Sequence, residues 1–214
     1  MGKKLKYKFF YRKSSFKKDS KNAQKLLDLI SFYKPKKFLE IGVLEGVTSK
    51  NVCQLLCNIH LNNFSYLGID LFGIDKEENN KKQFTPISNK YSNPFKHIYF
   101  NYILKDKPNS IDGVRVFLKK FSNSVSLHQG YSQDILEKID ISDVDFTFLD
   151  GGHAYETVKT DLNLLLNKIK KNSVILCDDY NLAHYGVKKA VDELKNRYYF
   201  ENIGRFALLK KWIP

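Results

Sequence analysis

The stretch that decides the fold is Phe38-Leu39-Glu40-Ile41-Gly42-Val43-Leu44-Glu45-Gly46-Val47-Thr48-Ser49. Its apolar start predicts a short buried strand, and its two glycines predict a tight turn into a helix. That helix is predicted over residues 47–60, because apolar residues recur along one side of it. A second predicted strand, residues 64–71, completes a βαβ unit. Such a unit requires a right-handed crossover and a parallel pair of strands.

The alternation of strands and helices continues along the rest of the chain. A first helix is predicted between Ser20 and Pro35. The later predicted helices cover 110–121, 134–139, 154–170 and 187–197, and the later strands cover 125–128, 144–149, 173–177 and a terminal hairpin of 198–203 and 206–210. This pattern predicts one α/β domain over residues 19–214, with helices on both faces of the sheet. Residues 73–108 have no clean period and are predicted to be an insertion, a candidate substrate lid.

Composition limits the class of protein. The chain has 214 residues, of which 43% are hydrophobic, which is ordinary for a globular domain. No apolar run approaches the roughly 18 residues that a membrane span needs, so no membrane span is expected. The start of the chain also lacks the apolar core of a signal peptide. A cytoplasmic protein with reduced, buried cysteines is therefore the expectation.

The formal net charge of +13 is concentrated near the start of the chain. Residues 1–18 form a basic, aromatic arm that contains no acid before Asp19. Such an arm could attract nucleic acid, anionic lipid or a phosphorylated substrate. The alternative, which we favour, is that its aromatic residues dock on the domain or on a second subunit. Nucleic acid is therefore not the expected partner. Removal of residues 1–18 is expected to leave cofactor affinity intact, because the cofactor motifs lie beyond them.

The glycine turn is a predicted cofactor site. Gly42 and Gly46 let backbone approach a ligand closely, and the helix start that carries Thr48 favours negative groups. The spacing E-x-G-x-x-x-G, headed by Glu40, differs from G-x-G-x-x-G and favours S-adenosylmethionine over a dinucleotide. Asp70 ends the second strand, where a carboxylate can accept both ribose hydroxyls of an adenosine-containing cofactor. The alternatives are a turn without a ligand and, for Asp70, a capping role.

The strongest cluster of candidate site residues follows two predicted buried strands. Asp150 comes after one strand, and Asp178 and Asp179 come after the next. Three acids that converge at one edge repel one another unless a cation lies among them, and oxygen ligands suit Mg²⁺, Mn²⁺ or Ca²⁺. Capping of the following segments by Asp150 and Asp179 is the alternative. It leaves the paired acids unexplained, so a divalent-metal site, with Mg²⁺ foremost, is predicted.

Two other stretches carry candidate residues with open alternatives. His153 lies three residues after Asp150 and could act as a base for an acceptor hydroxyl, or be a solvated loop histidine. Ser132 and Gln133 follow the third strand. They could pair with an adenine edge or simply cap the next helix, and the stretch by itself does not decide between these roles.

Together these motifs resemble the class I methyltransferases and, within them, two groups of metal-dependent O-methyltransferases. Catechol O-methyltransferase is similar at Leu39-Glu40-x-Gly42, Gly130-x-Ser132-Gln133-Asp134 and Phe148-Leu149-Asp150. The macrocin/mycinamicin sugar O-methyltransferases, with their cephalosporin-hydroxylase-like relatives, are similar at Asp150-Gly151-Gly152-His153-Ala154-Tyr155-Glu156, Asp178-Asp179-Tyr180 and Gly186-Val187-Lys188-Lys189-Ala190-Val191. The resemblance covers residues 20–211 in order.

The resemblance implies a Rossmann-like sheet with strand order 3-2-1-4-5-7-6, in which strand 7 is antiparallel. It also implies that Asp150, Asp178 and Asp179 bind the metal, that Asp150 borders the cofactor, and that His153 is the catalytic base. Catechol O-methyltransferase has a lysine where this chain has His153, and an asparagine ligand where it has Asp179. Both departures favour the sugar-type group, whereas residues 73–108 match neither.

The predicted function is therefore an S-adenosylmethionine-dependent, metal-dependent O-methyltransferase. Its acceptor would be a hydroxyl of a small molecule, a sugar or sugar-containing metabolite, and a homo-oligomer (dimer or higher) is expected. A catechol-type enzyme, a nucleic-acid-associated methyltransferase that uses the arm, and a non-catalytic descendant are the alternatives. A dinucleotide-dependent oxidoreductase is disfavoured, because the third glycine is missing and three acids cluster.

Overall fold

The strands form a single sheet in the computed structural model, which describes residues 5–17, 19–73, 93–103, 107–182 and 185–211. Within these residues the strands are β1 (Lys37–Ile41), β2 (Ser65–Asp70), β3 (Val125–Gln129), β4 (Phe146–Leu149), β5 (Val174–Cys177), β6 (Tyr199–Ile203) and β7 (Phe206–Lys210). They lie in the order β3-β2-β1-β4-β5-β7-β6. The neighbours from β3 to β5 are parallel, and β7 is antiparallel to β5 and β6. The expected strand order is confirmed.

Seven α-helices connect or precede these strands in the described part of the chain. They are α1 (Ser20–Tyr33), α2 (Val47–His60), α3 (Pro94–Ile98), α4 (Ile111–Phe117), α5 (Ser132–Lys138), α6 (Tyr155–Lys168) and α7 (Tyr185–Asp192). A π-helical turn, Tyr99–Ile103, follows α3, and a 3₁₀ turn, Lys119–Phe121, follows α4. None of the described helices is long and apolar enough to cross a membrane.

The hydrophobic core is divided by the sheet into two layers. Leu26 of α1, Val52 of α2 and Val114 of α4 belong to one buried cluster. The other layer contains Leu162 of α6 and Val191 of α7, together with residues of α5. Adjacent residues of the central strands point alternately into the two layers, as the two-residue period of a strand requires. Helices therefore cover both faces of the sheet, as the sequence predicted.

Two predicted elements differ from the structure. The helix expected to run to residue 197 ends at Asp192, after which the N–H groups of Leu194 and Arg197 bond carbonyls three residues back in a series of tight turns. In the 73–108 insertion, the described residues 93–103 form α3 and the π-helical turn. Residues 74–92 and 104–106 of the proposed lid lie outside the described residues.

The glycine turn is fixed by a close approach between the ends of β1 and β4. Gly42 has a φ of +95°, and a Cβ atom there would lie 1.9 Å from the carbonyl oxygen of Asp150. The Asp150 N–H donates to the carbonyl of Ile41 at 2.8 Å, which holds the two strand ends together. Glycine is required at position 42 because backbone, rather than a flexible side chain, fills the space where Cβ would be.

We predict that Gly42→Ala destabilises the protein more than Gly204→Ala. Both glycines have positive φ, so both substitutions place a side chain in the left-handed region, at a cost of roughly 1–2 kcal/mol. At Gly204 the nearest atom to the added Cβ is the flexible Lys25 Nζ at 3.6 Å, whereas at Gly42 it is backbone. Urea unfolding of both variants measures the difference. Equal losses would contradict the proposed clash with Asp150.

Candidate active site

The turn between β1 and α2 lies at the edge of the sheet where β1, β2, β4 and β5 end. Gly42, Leu44 and Gly46 all have positive φ within this turn. The Asp70 carboxylate accepts the N–H of Leu44 at 2.8 Å and the N–H of Phe72 at 2.7 Å. Burial raises the pKa of Asp70, and these two hydrogen bonds oppose the rise. Asp70 thus ties the glycine turn to the end of β2, in the crevice where α/β proteins bind ligands.

Glu40 lies in the core under the glycine turn. It is fully buried, and its Oε2 accepts hydrogen bonds from Ser49 Oγ of α2, at 2.9 Å, and from the Tyr66 hydroxyl of β2. Among the described residues, no hydrogen-bond partner reaches its Oε1. Burial raises the pKa of Glu40 to about 8. A neutral carboxyl is therefore the dominant form near pH 7.

The first half of the arm packs against the start of α2. The Tyr7 hydroxyl lies 2.9 Å from Thr48 Oγ1. The side chain of Asn51 accepts the N–H of Lys8 at 2.8 Å and donates to its carbonyl at 2.9 Å, so it pairs with the arm as a strand would. The N–H of Lys13 donates to the buried Glu45 carboxylate at 2.7 Å. These contacts join the arm to the glycine turn.

The second half of the arm reaches the acids. Ser15 hydrogen-bonds the Asp150 carboxylate, and Phe16 is fully buried, stacked on Phe148 at 6.2 Å between ring centroids. The arm is therefore not independent of the site. Removal of residues 1–18 would remove the contacts with Thr48, Glu45 and Asp150, and survival of cofactor affinity after that removal stays a prediction.

The side chains of Ser132 and Gln133 contact a carboxylate of α6. Ser132 Oγ donates to Asp161 Oδ1 at 2.7 Å, and Gln133 also hydrogen-bonds that carboxylate. Burial raises the pKa of Asp161 to about 6, and both hydrogen bonds oppose the rise. Ser132 also begins α5. These contacts give both side chains a structural partner in addition to the predicted adenine contact.

Three aspartates and His153 meet where β4 and β5 end. One ligand atom each of Asp150, His153 and Asp179 lies within 4.8 Å of the others. His153 Nε2 is 2.9 Å from Asp179 Oδ2, and Asp179 adopts a left-handed φ of +59°. Burial and the charge of the neighbouring Asp178 raise the pKa of Asp150. The structure therefore places these side chains together at one edge of the sheet, as the sequence predicted.

Arg205 is a site residue that the sequence did not reveal. It lies in the turn between β6 and β7, and its Nε and Nη2 donate to the two oxygens of Asp178, each at 2.5 Å. Its side chain is 8% exposed. Burial by itself would lower the pKa of Arg205. The hydrogen bonds to Asp178 and the charge of Asp178 outweigh burial, so the pKa of Arg205 is raised overall. The guanidinium is thus a fixed positive charge among the acids.

A small cavity lies between the strand ends. It has a volume of about 10 Å³, and its lining includes Asp150, His153 and Asp178. Such a volume corresponds to about one water-sized probe. A larger cavity of about 330 Å³, lined by Tyr33, Val174 and Lys210 among others, lies at the opposite edge of the sheet. Ligands of open α/β sheets bind at the carboxyl ends of the strands, so the small cavity marks the candidate site.

A family model described as a methyltransferase domain matches residues 39–180, about two-thirds of the chain. The chain belongs to this family. The matched region runs from the strand before the glycine turn to the acids after β5, so it includes the residues predicted to bind the cofactor and the three acids. Together with the strand order, the match makes the protein a class I S-adenosylmethionine-dependent methyltransferase. No curated protein matches the chain.

Solved structures of methyltransferases share the fold. An S-adenosylhomocysteine-bound methyltransferase from Podospora anserina, PaMTH1, superposes with a TM-score of 0.61 at 14% identity, over 91% of this chain and 79% of that one. The O-methyltransferase TomG from Streptomyces achromogenes, bound to S-adenosylmethionine, gives 0.59 at 14% identity, over 90% and 80%. CalS11, described as a TDP-rhamnose 3′-O-methyltransferase of calicheamicin biosynthesis, gives 0.58 at 15% identity, over 90% and 80%.

The methyltransferase has one further close contact at the site. A Cβ atom on Gly186, in α7, would lie 2.3 Å from the carbonyl oxygen of His153 and 2.6 Å from the N atom of Tyr155. The backbone that carries His153 therefore packs directly on α7. The sequence contained this glycine in the Gly-Val-x-x-Ala-Val stretch, but only the fold reveals its partner.

We predict that the stability of the cofactor-free methyltransferase depends on Glu40 between about pH 4.5 and 8. Its pKa is raised from an ordinary value of 4.5 to about 8 in the folded protein. The unfolded chain therefore ionises first, and its ionisation removes about 1.4 kcal/mol of stability per pH unit within that window. Glu40→Gln should gain stability relative to wild type as pH rises from 5 to 8, measured by urea unfolding. A difference that does not change with pH would show that buried Glu40 is ionised throughout.

Proposed function

We propose that this methyltransferase transfers a methyl group from S-adenosylmethionine to a hydroxyl of a small molecule, with a divalent cation beside the cofactor. The acceptor we propose is a sugar or a sugar-containing metabolite. The observation that carries the proposal is the convergence of Asp150, His153 and Asp179 at the sheet edge that also bears the glycine turn.

The residues around the turn support a cofactor site. Asp70 offers a carboxylate at the end of β2 for the ribose, and Gly42 and Gly46 give the turn its positive φ angles. Glu40 Oε1 has no hydrogen-bond partner among the described residues. The positive charge of a bound cofactor would favour the ionised form of this carboxyl, which is neutral near pH 7 in the cofactor-free protein. Thr48, Ser132 and Gln133 complete the proposed set. For the last two, adenine would have to share the side chains with Asp161.

The donor set near Asp150 fits a divalent cation. Burial and then the charge of a neighbouring carboxylate raise the pKa of Asp150, beside Asp178, and the pKa of Asp178, beside Asp179. A cation would stabilise the ionised forms of these carboxylates. Asp150 and Asp179 would hold it, with Asp178 in the same cluster. Mg²⁺ commonly takes only one or two protein carboxylates. Bound there, a divalent cation would lower the pKa of the acceptor hydroxyl.

His153 is the proposed base. Asp179 lies 2.9 Å from its Nε2 and orients the ring, and the His153 side chain is 42% exposed, so an acceptor can reach it. The imidazole would take the proton from the acceptor hydroxyl. The acceptor oxygen would then attack the methyl carbon in line and displace the thioether sulfur, which leaves S-adenosylhomocysteine. Much of the rate would come from positioning, since the cofactor's methyl group is already activated.

A sugar acceptor is supported by resemblance and by one related fold. His153 and Asp179 match the sugar-type group where catechol O-methyltransferase has other residues. CalS11, which shares the fold, is described as acting on TDP-rhamnose. A panel of nucleotide sugars, free glycosides and catechols, tested for methyl transfer from radiolabelled cofactor, separates the two acceptor classes.

We predict selective binding of the cofactor. Isothermal titration calorimetry should detect S-adenosylhomocysteine at micromolar levels or tighter, which corresponds to roughly 8 kcal/mol. NAD⁺ should give no signal, because the turn lacks the third glycine of a dinucleotide site. Asp70→Asn should weaken binding, since the amide offers one acceptor oxygen where the carboxylate offers two. Binding of NAD⁺ without S-adenosylhomocysteine would overturn the proposed cofactor.

We predict that His153→Ala keeps metal and cofactor binding but loses turnover. A positioned base contributes about 10²–10⁴-fold, and the loss should shrink as pH rises, because the acceptor hydroxyl then ionises without help. His128→Ala is the matched control, since His128 lies on β3 and bonds Ser126. Turnover against pH, with metal content recorded, is the measurement. If neither chelation nor His153→Ala changes turnover, the proposed metal and base are wrong.

A further inference from the structure

Arg205 connects the acids to the N-terminal arm. Besides its fork on Asp178, its Nη2 lies 3.0 Å from Asp179 Oδ1 and its Nη1 lies 3.5 Å from Asp19 Oδ2. Nη2 also donates to the carbonyl of Ser15 at 3.4 Å, and the guanidinium carbon is 4.7 Å from the centroid of the Phe16 ring. A single buried side chain thus contacts both the acid cluster and the segment that covers it.

The carboxylate of Asp178 is largely used by these contacts. Arg205 donates to both of its oxygens at 2.5 Å, and the N–H of Asp179 donates to Oδ1 at 2.8 Å. A carboxylate accepts about four hydrogen bonds, so three of the sites on Asp178 are filled. A cation bound directly to Asp178 would also lie close to the positively charged guanidinium that donates to both oxygens. Asp179, in contrast, directs Oδ2 towards His153.

The charges also favour Asp179 over Asp178 as a ligand of the cation. Asp178 and Arg205 form a neutral, buried, bidentate pair, which is strong when both partners are present and costly when one is removed. Asp150 and Asp179 then remain as the two carboxylates that lie, with His153, within 4.8 Å of one another. Two carboxylates leave the remaining positions of a divalent cation to water or to an acceptor.

We propose that Arg205 is a positioning residue that keeps Asp178 out of the cation's ligand set and anchors the arm beside the acids. Asp150 and Asp179 then supply the carboxylate ligands, so Asp178 differs from the role that its sequence position predicted. This inference rests on the metal site of the proposed function. In this proposal Asp178 holds Arg205 against the arm, and Asp179 binds the cation.

Two double variants of equal net charge test the ligand assignment. Mn²⁺ binding is measured by electron paramagnetic resonance for Asp178→Asn with Arg205→Gln and for Asp179→Asn with Arg205→Gln. The first removes a matched ion pair and should bind Mn²⁺ within about threefold of wild type, whereas the second removes a ligand and should bind at least about tenfold more weakly. Asp178→Asn alone should also bind weakly, because it leaves the guanidinium uncompensated 3.0 Å from Asp179. Equally weak binding by both double variants would overturn the assignment.

Trypsin cleavage of the wild-type arm gives a second readout that needs no variant to fold. If Asp178 were a ligand, Mn²⁺ would compete with Arg205 for it and cleavage after Arg12, Lys13 or Lys17 would accelerate. We expect saturating Mn²⁺ to leave cleavage unchanged or to slow it. Arg205→Gln should accelerate it and Arg205→Lys less so, while Arg115→Gln, which removes an exposed pair with Asp112, should have no effect.

Failure of the proposed function gives a different result. A wild-type protein that binds no Mn²⁺ would overturn the metal site and, with it, the ligand assignment. A wild-type protein that binds Mn²⁺ while both double variants lose it would overturn only the ligand assignment. Arg205→Gln with an arm as resistant to trypsin as wild type would overturn the anchoring role.

Discussion

The candidate active site depends on one close approach of two backbone segments. At the ends of β1 and β4, Gly42 packs so tightly on the carbonyl of Asp150 that no side chain fits between them. The turn that would hold the cofactor and the acid that would hold the cation are therefore parts of one rigid junction. A methyl donor and a bound acceptor need such fixed separation, because the reaction requires in-line geometry between two ligands. Asp70, which bonds Leu44 in the same turn, extends the rigid unit to β2.

Electrostatic balance is the second constraint on this edge of the sheet. Asp150, Asp178 and Asp179 are close together and largely buried, and a single guanidinium from the β6–β7 turn offsets one of the three. The remaining negative charge suits a divalent cation. The same guanidinium packs on Phe16, so the arm that carries much of the chain's net positive charge is held against the acids. Charge balance and arm docking are thereby linked through Arg205.

The sequence was sufficient to predict most of the fold, because each βα unit carries its own local signal. The helix at 47–60 follows from apolar periodicity and a glycine start, and Asp150, Asp178 and Asp179 follow from their positions at strand ends. The role of Arg205 could not be predicted, because its partners lie 27 and 190 residues away in sequence. Docking of the arm's aromatic residues on the domain was predicted and is confirmed, but Thr48 as the partner of Tyr7 could not be predicted for the same reason. Expected assembly into a homo-oligomer stays a prediction.

The most direct test of the central claim is a crystal structure with S-adenosylhomocysteine and Mn²⁺, in which anomalous scattering locates the cation. We predict S-adenosylhomocysteine across the turn from Gly42 to Gly46, with its ribose on Asp70 and Mn²⁺ on Asp150 and Asp179 beside it. Arg205 should still donate to both oxygens of Asp178. Bound S-adenosylhomocysteine with no anomalous peak among the three aspartates, at saturating Mn²⁺, would contradict the claim that a cation and the cofactor share this edge of the sheet.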